Sequence, residues 1–176
     1  MISILQSIKP QYCELIAAGL KGDELRKTKP ECPTPFKVYI YQSKHKWVYK
    51  ILERLGLYQG KVIGEYVCNE ITEYLCKNVH RDSEIINTYD IPQPVRQKLC
   101  LSYEEICKCG NGDTLRDWHI SNLKIYDKPR ELSEFFKACD KPRGTDCSVC
   151  IDNREQICKS LIRPPQSWCY VEEIEQ

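Results

Sequence analysis

The sequence lacks the features that mark several large classes of protein. No run approaches the roughly 18 apolar residues of a membrane span, so no segment is predicted to cross a membrane. The first twenty residues hold no basic leader followed by a continuous apolar stretch, so we expect no signal peptide and predict a cytoplasmic protein with reduced thiols. No Gly-rich phosphate loop or dinucleotide fingerprint is present, and no G-x-S-x-G surrounds Ser167, which argues against a serine hydrolase.

A strong net charge is also absent. The formal net charge is +1 at pH 7, so the chain has no global basic field that would attract nucleic acid. The charge is uneven, because residues 1–50 contain nine Lys and Arg residues against four Asp and Glu residues. This segment can therefore bind phosphate locally.

The chain does have the composition and patterning of a globular protein. Hydrophobic residues make up 41% and charged residues 29% of its 176 residues, which predicts one domain over 1–176. Residues 76–98 are polar and contain two prolines, and we interpret them as a long loop. Apolar alternation and helical spacing together predict an α+β protein. The predicted strands are 2–8, 23–28, 36–41, 61–71, 116–126 and 167–173, and the predicted helices are 10–19, 47–55, 102–110 and a short one beginning at 129.

Two separated motifs resemble those of a known family. Residues 7–27 read SIKPQYCELIAAGLKGDELRK, which contains S-I-K-P, one helix and then G-x-K-x-x-E-x-R. Residues from 118 read WHISNLKIYDKPRELSEF, and residues from 164 read PPQSWCYVE. Together they resemble the ASCH family of the PUA-like group, and among its members the ASCH proteins of phages and prophages of Gram-positive bacteria. The residues of the opening match are Ser7, Ile8, Lys9, Pro10, Gly19, Lys21, Glu24 and Arg26.

The resemblance implies a small PUA-like β-barrel of five to six strands with flanking helices. It also implies a cleft beside the first helix that binds RNA or a nucleotide. Some relatives are hydrolases, of which one acts on acetylated cytidine and another is linked to ribonuclease activity. Lys21 matches a lysine of the amidohydrolase, but Glu24 stands where that enzyme has a threonine. The same amidohydrolase chemistry is therefore not expected, and any catalysis would use Lys21 and Glu24 on modified nucleosides or RNA.

The side chains of this motif have binding chemistry of their own. Arg26 offers a planar fork for phosphate or a base edge, Lys21 a point charge, and Glu24 an acceptor. If Lys21 lies in the turn before the strand, it can join Glu24 and Arg26 on one side. A solvent-facing ion-pair ladder, common on exposed strands, would give the same spacing. We predict a basic cleft lined by solvent-facing side chains, with ligand-binding residues Ser7, Lys9, Lys21, Glu24, Arg26, Tyr39, Tyr41, His119, Ser167 and Trp168.

The cysteines suggest a metal site. Cys139, Cys147, Cys150 and Cys158 form C-x7-C-x2-C-x7-C, and four thiolates in such a set can complete a tetrahedron around Zn²⁺. We therefore predict a structural zinc knuckle in an insertion over 139–158, with surface thiols or one disulfide as the alternative. The looser group Cys100, Cys107 and Cys109 is interpreted as packing residues.

Three functions follow as hypotheses. The first is a module that binds RNA or a nucleotide, the second a small nucleoside or RNA hydrolase, and the third a phage-encoded protein that engages a host protein. Glu24 stands where the amidohydrolase has its threonine, and the absence of that threonine favours the binding module over the hydrolase. The low net charge favours a nucleotide or short RNA over long, non-specific RNA.

Overall fold

The structure is a computed structural model that describes residues 2–44, 60–81, 84–138 and 160–174. It is an α+β fold, as predicted, in which most regular elements are strands. The elements in chain order are β1 (Ile2–Ile8), α1 (Pro10–Ala17), β2 (Asp23–Arg26), β3 (Phe36–Gln42), β4 (Val62–Tyr74), β5 (Cys76–Arg81), β6 (Glu84–Tyr89), α2 (Gln93–Leu99), α3 (Tyr103–Gly110), β7 (Leu115–Arg130), a 3₁₀ turn (Leu132–Glu134) and β8 (Trp168–Glu172).

Six of the strands form one sheet in the order β2–β7–β4–β3–β1–β8, and β5 and β6 form a separate hairpin. The sheet has two ends, β2 and β8, so it is not closed, and the predicted barrel is wrong. The free side of β2 faces a helix instead of a strand, since Gly22 N donates to Lys98 O of α2. A helix beside an edge strand protects it from pairing with other chains and removes the need for closure.

The described residues divide into two compact units. The first contains β1, β3, β8, the first part of β4 and the last part of β7. In it β1 runs parallel to β3 and antiparallel to β8, so that Ile4 lies opposite Val38 and Leu5 opposite Cys169. Inward residues of these strands build its core together with Phe135, whose ring meets that of Tyr39 edge-on at 5.0 Å.

The second unit contains β2, β5, β6, α2, α3, the last part of β4 and the first part of β7. Short elements and the segments between them each contribute one or two apolar residues to its core. Ser102 caps α3, because its Oγ accepts a hydrogen bond from Glu105 N at 3.2 Å. Ser102 N in turn donates to Glu105 Oε2, which completes the predicted capping box. The buried apolar residues of this core are Leu25, Tyr89, Ile91, Leu99, Ile106 and Leu115.

The interpretation of residues 76–98 as a loop is wrong. Strands β5 and β6 pair in antiparallel register, with Val79 opposite Ile86, and α2 follows them. Pro92 is the N-cap residue of α2 and Pro94 lies in its first turn. Proline is favoured in a first turn, where the backbone N–H has no partner in the helix.

The remaining boundaries differ less. Strand β7 runs to Arg130, four residues beyond the predicted end, so the helix predicted at Pro129 is replaced by strand and the 3₁₀ turn Leu132–Glu134. The predicted helix 47–55 and the predicted insertion 139–158 lie outside the described residues. No helix in the described part of the chain is both long and apolar enough to cross a membrane.

Candidate functional site

The candidate site is built on the pairing of β2 with β7 in the second unit. Helix α1 is followed by Gly19 at φ 71, a left-handed conformation that favours glycine, and the chain then turns through Lys21 into β2. The antiparallel register places Asp23 opposite His119 and Leu25 opposite Asp117. We call Lys21, Asp23, Glu24, Arg26, Asp117 and His119 the β2–β7 cluster.

Asp23 and His119 are paired directly across the two strands. His119 Nδ1 lies 2.7 Å from Asp23 Oδ1. The Asp23 side chain is 5% exposed, whereas that of His119 is 37% exposed. A buried carboxylate therefore fixes the orientation of an imidazole that solvent and ligands can reach, the arrangement that holds a histidine ready for hydrogen bonding or proton transfer.

Lys21, Glu24 and Arg26 form a network of opposite charges. Lys21 Nζ lies 3.3 Å from Glu24 Oε2, and Arg26 Nη2 lies 3.1 Å from Glu24 Oε1. Lys21 Nζ also donates to the carbonyl oxygen of Leu99 at 2.6 Å. The motif residues meet as expected for a lysine in the turn before the strand.

The burial of this network was predicted wrongly. Lys21 is 2% and Glu24 7% exposed, and the Arg26 side chain is 15% exposed. These side chains therefore do not form a solvent-facing ladder. Burying ion pairs costs desolvation energy, so such a network is weak evidence for stability and good reason to look for function.

Asp117 adds a buried acid whose protonation is altered. Burial, and after it the nearby carboxylate of Asp23, raises its pKa to about 7. Its Oδ1 is buried and has no hydrogen-bond partner among the described residues. A carboxyl group that titrates near neutral pH can both donate and accept a proton under physiological conditions.

The cluster as a whole offers both donors and acceptors. Two cations, Lys21 and Arg26, lie with the carboxylates of Asp23 and Glu24, and the carboxyl group of Asp117 and the imidazole of His119 complete the cluster. The charges of this set nearly balance, so it does not supply a basic surface by itself, and the basic cleft stays a prediction. A mixed set of this kind matches the edge of a nucleobase, which presents donors and acceptors together.

Other predicted site residues lie in the first unit. Ser7 N donates to Ser167 O at 2.9 Å, and Ser7 Oγ donates to Pro165 O at 2.7 Å. The rings of Trp168 and Tyr170 pack edge-on, with their centroids 5.4 Å apart. The side chain of Lys9 is exposed. The structure brings Ser7 together with Ser167 within this unit, and a cleft that also includes the β2–β7 cluster stays a prediction.

Tyr39 and Tyr41 are core residues. Both are predicted above as solvent-facing, ligand-binding residues, but they are 1% and 3% exposed. The Tyr39 ring packs on Phe135, and its hydroxyl accepts a hydrogen bond from Ile174 N at 3.0 Å. A nucleobase has no access to either ring, because both rings belong to the core of the first unit.

The predicted zinc ligands Cys139, Cys147, Cys150 and Cys158 lie outside the described residues. Within the described ranges, no group of three or more His, Cys, Asp and Glu residues is arranged to hold a metal ion. Cys107 and Cys109 pack against the core of the second unit, as the sequence predicts for packing residues.

Sequence reasoning missed two members of the cluster, Asp23 and Asp117. Asp23 belongs to the mostly charged strand Asp-Glu-Leu-Arg and has no signal of its own, whereas Asp117 has one. Asp117 stands between Arg116 and Trp118 and two residues after Leu115, on the side that alternation assigns to the core. The register that brings Asp23 beside His119 cannot be read from either strand alone.

Comparisons with known proteins bear on the fold. No protein-family model and no curated protein match the sequence. The chain is similar in structure to the ASCH protein of Zymomonas mobilis, with a TM-score of 0.55 and 14% identity over 97% of this chain and 88% of that one. A Tyr-to-Phe variant of that protein gives a TM-score of 0.53 at 14% identity, over 97% of this chain and 91% of the variant. A Ser-to-Ala variant gives a TM-score of 0.54 at 14% identity, over 97% of this chain and 89% of the variant. The chain therefore has the fold of solved ASCH proteins.

Proposed function

We propose that this chain binds a nucleotide or a short single-stranded RNA, with the β2–β7 cluster recognising a base. The observation that supports this most is the burial of paired donors and acceptors beside an accessible imidazole. RNA or nucleotide binding is also what the resemblance to ASCH proteins implies, and the shared fold is consistent with it. The near-neutral cluster favours contacts to the base over contacts to phosphate.

Each polar group of the cluster has a defined part in this proposal. Arg26 presents its fork to acceptors on the base, and Glu24 accepts from an exocyclic amine. Lys21 is held by Glu24 and the Leu99 carbonyl, so it positions Glu24 more than it contacts the ligand. His119, oriented by Asp23, contributes a donor or an acceptor at the exposed end of the cluster.

The test is equilibrium binding of a fluorescently labelled tetranucleotide RNA, measured by anisotropy at several salt concentrations. We expect a salt slope shallower than about −2, because few phosphates are neutralised at a near-neutral site. Arg26→Met should weaken binding roughly ten- to hundredfold by removing a charge-assisted fork. Glu24→Gln should change the preferred base more than the affinity.

The control is Lys29→Met, which removes an exposed cation paired with Glu73 at 2.8 Å. It should leave binding unchanged within about twofold, since an exposed pair of this kind contributes little. Equal losses in Arg26→Met and Lys29→Met would mean that RNA is held by general surface charge, and the proposed base recognition would be wrong.

A second candidate function is hydrolysis of RNA or a modified nucleoside, favoured by the Asp23–His119 pair. An exposed imidazole oriented by a buried carboxylate is suited to act as a general base. The test is incubation with RNA and with an acylated nucleoside, followed by mass analysis of products. His119→Gln should then abolish turnover while binding persists, whereas absence of products from the wild-type protein leaves binding as the function.

A partner protein remains a third proposal. The β5–β6 hairpin exposes the side chains of Val79 (46%) and Ile86 (39%), which lie opposite each other, and Leu75 just before it is 68% exposed. Exposed apolar side chains this close together are suited to a protein contact. Binding through them would be insensitive to salt and would be lost in Val79→Lys, which leaves the β2–β7 cluster untouched.

A further inference from the structure

A shallow groove in the second unit has no part in the function so far described. It has a volume of about 410 Å³ and lies where α2 ends and α3 begins. Gln93, Arg96 and Gln97 line it from α2, and Cys100 and Tyr103 line it from the link and the start of α3. None of the described residues that line this groove is a carboxylate, and the charged one among them is Arg96.

Arg96 is held in place but incompletely hydrogen-bonded. Its guanidinium carbon lies 5.8 Å from the centroid of the Tyr103 ring, a cation–π contact. Its Nε is buried and has no hydrogen-bond partner among the described residues. A donor in this state favours a ligand that brings an acceptor.

Tyr103 supports this arrangement from the other side. Its hydroxyl accepts from Tyr89 N at 3.2 Å and lies 3.5 Å from Tyr89 O, so the ring has a fixed position. The Tyr103 ring therefore supports the planar guanidinium of Arg96. Guanidinium planes stack well on nucleobases. Gln93 and Gln97 are one helical turn apart, and each amide offers a donor and an acceptor to a base edge.

The groove is joined to the β2–β7 cluster by the same helix. At the end of α2, Leu99 O accepts from Lys21 Nζ, and Lys98 O accepts from Gly22 N at 3.0 Å. Cys100 Sγ, which lines the groove, contacts Leu20 O at 3.3 Å. The helix has seven residues and is therefore about 10 Å long, so one short oligonucleotide can reach both places.

We propose that this groove is a second base-binding subsite, in which an unpaired base of the RNA stacks on the guanidinium of Arg96 and bonds to Gln93 and Gln97. This inference rests on the proposed function, because it assumes that RNA is the ligand. It adds that at least two neighbouring nucleotides are recognised, one at the cluster and one in the groove.

The test uses the full chain labelled with ¹⁵N and NMR spectra that resolve backbone amides and arginine Nε–H groups. A tetranucleotide RNA should shift the signals of Arg96 Nε–H and the Tyr103 amide together with those of Asp23 and His119. Inorganic phosphate at the same concentration should leave Arg96 Nε–H unchanged, since stacking requires a base.

A pair of matched variants tests the role of the guanidinium plane. Arg96→Lys keeps the charge and removes the plane, so it should weaken RNA binding at least fivefold. The same change at Arg163, which is exposed in the first unit, should have no effect. A thermal melt of each variant shows whether the fold is retained.

The outcomes separate the two proposals. If RNA shifts Asp23 and His119 but not Arg96, the groove is not a subsite and the proposed function stands. If phosphate shifts Arg96 as far as RNA does, the groove is a simple anion site and base stacking is wrong. If RNA shifts neither set of signals, both the subsite and the proposed function are wrong.

Discussion

The Nδ1 atom of His119 and the Oδ1 atom of Asp23 lie 2.7 Å apart, and the two residues are also direct partners in the register of β7 and β2. One partner is almost completely buried and the other is more than one-third exposed. The contact therefore ties the most accessible group of the β2–β7 cluster to its interior. The same interaction therefore contributes to the stability of the fold and to the orientation of the His119 imidazole in the site.

A double-mutant cycle measures this contact. We expect the unfolding free energies of Asp23→Ala, His119→Ala and the double variant to show a coupling of about 1.5–3 kcal/mol, as for a hydrogen bond to a charged group. Urea unfolding provides the measurement. The exposed pair Lys77–Asp90, at 2.6 Å, is the control and should show a coupling close to zero, because solvent screens it. Coupling as small as that of the control pair would show that Asp23 does not fix His119.

Lys21 should be more important for stability than its position in a turn suggests. Lys21→Met removes the partner of Glu24 and leaves that carboxylate buried with Arg26 alone. Breaking a buried pair costs about 3–5 kcal/mol, and the remaining Arg26 contact should keep the loss near 3 kcal/mol. Lys27→Met, in an exposed pair with Asp113, should cost less than about 1 kcal/mol. Similar midpoints for the two variants in denaturant would contradict the burial of Lys21.

Some elements of this fold are specified by signals within a few residues of the chain, and others depend on distant pairing. Local signals sufficed for β1, β2, β3, α3 and β8, because each is defined by alternation or by a cap within a few residues. The β5–β6 hairpin was missed because its segment has no Asn-Gly or Asp-Gly turn and exposes apolar residues such as Val79 and Ile86. The barrel was a property of the resembled family, and no local pattern in the chain bears on closure of a sheet.

In the candidate site too, some residues are predicted by local spacing and others depend on the tertiary structure. The motif of Lys21, Glu24 and Arg26 was evident from spacing, since all three belong to one turn and strand. Asp117 and the Asp23–His119 contact depend on how two strands almost a hundred residues apart are paired. Burial of charged residues likewise depends on the tertiary structure, and average preferences predict exposure for them.

The predicted zinc knuckle can be tested directly. If Cys139, Cys147, Cys150 and Cys158 hold a closed tetrahedral site, elemental analysis of the purified protein should find about one zinc per chain. Cys147→Ser/Cys150→Ser should remove it, because two thiolates no longer suffice. Cys107→Ser/Cys109→Ser is the matched control, since those thiols pack against a core. Zinc retained in the first double variant, or lost in the second, would place the ligands elsewhere.

The raised pKa of Asp117 makes the stability of the fold depend on pH. Burial, the first cause, and the charge of Asp23 raise its pKa from an ordinary value of 3.8 to about 7, with Glu24 adding to the rise and Lys21 and Lys98 opposing it. The folded state therefore binds a proton that the unfolded state has released between about pH 4 and pH 7. Its stabilising contribution is complete below pH 4 and is lost as the pH rises through 7.

Asp117→Asn isolates this contribution because asparagine stays neutral throughout. We expect the unfolding free energy of Asp117→Asn, minus that of the wild type, to rise by on the order of 3 kcal/mol from pH 4 to pH 7 and to level off above pH 8. Urea unfolding at each pH supplies both values. Asp127→Asn, at an exposed position in β7, should show no such rise. A flat difference for Asp117→Asn would mean that folding does not shift the pKa of Asp117, and one that falls as the pH rises would mean that its neighbours stabilise its charge. Either result would contradict the raised pKa.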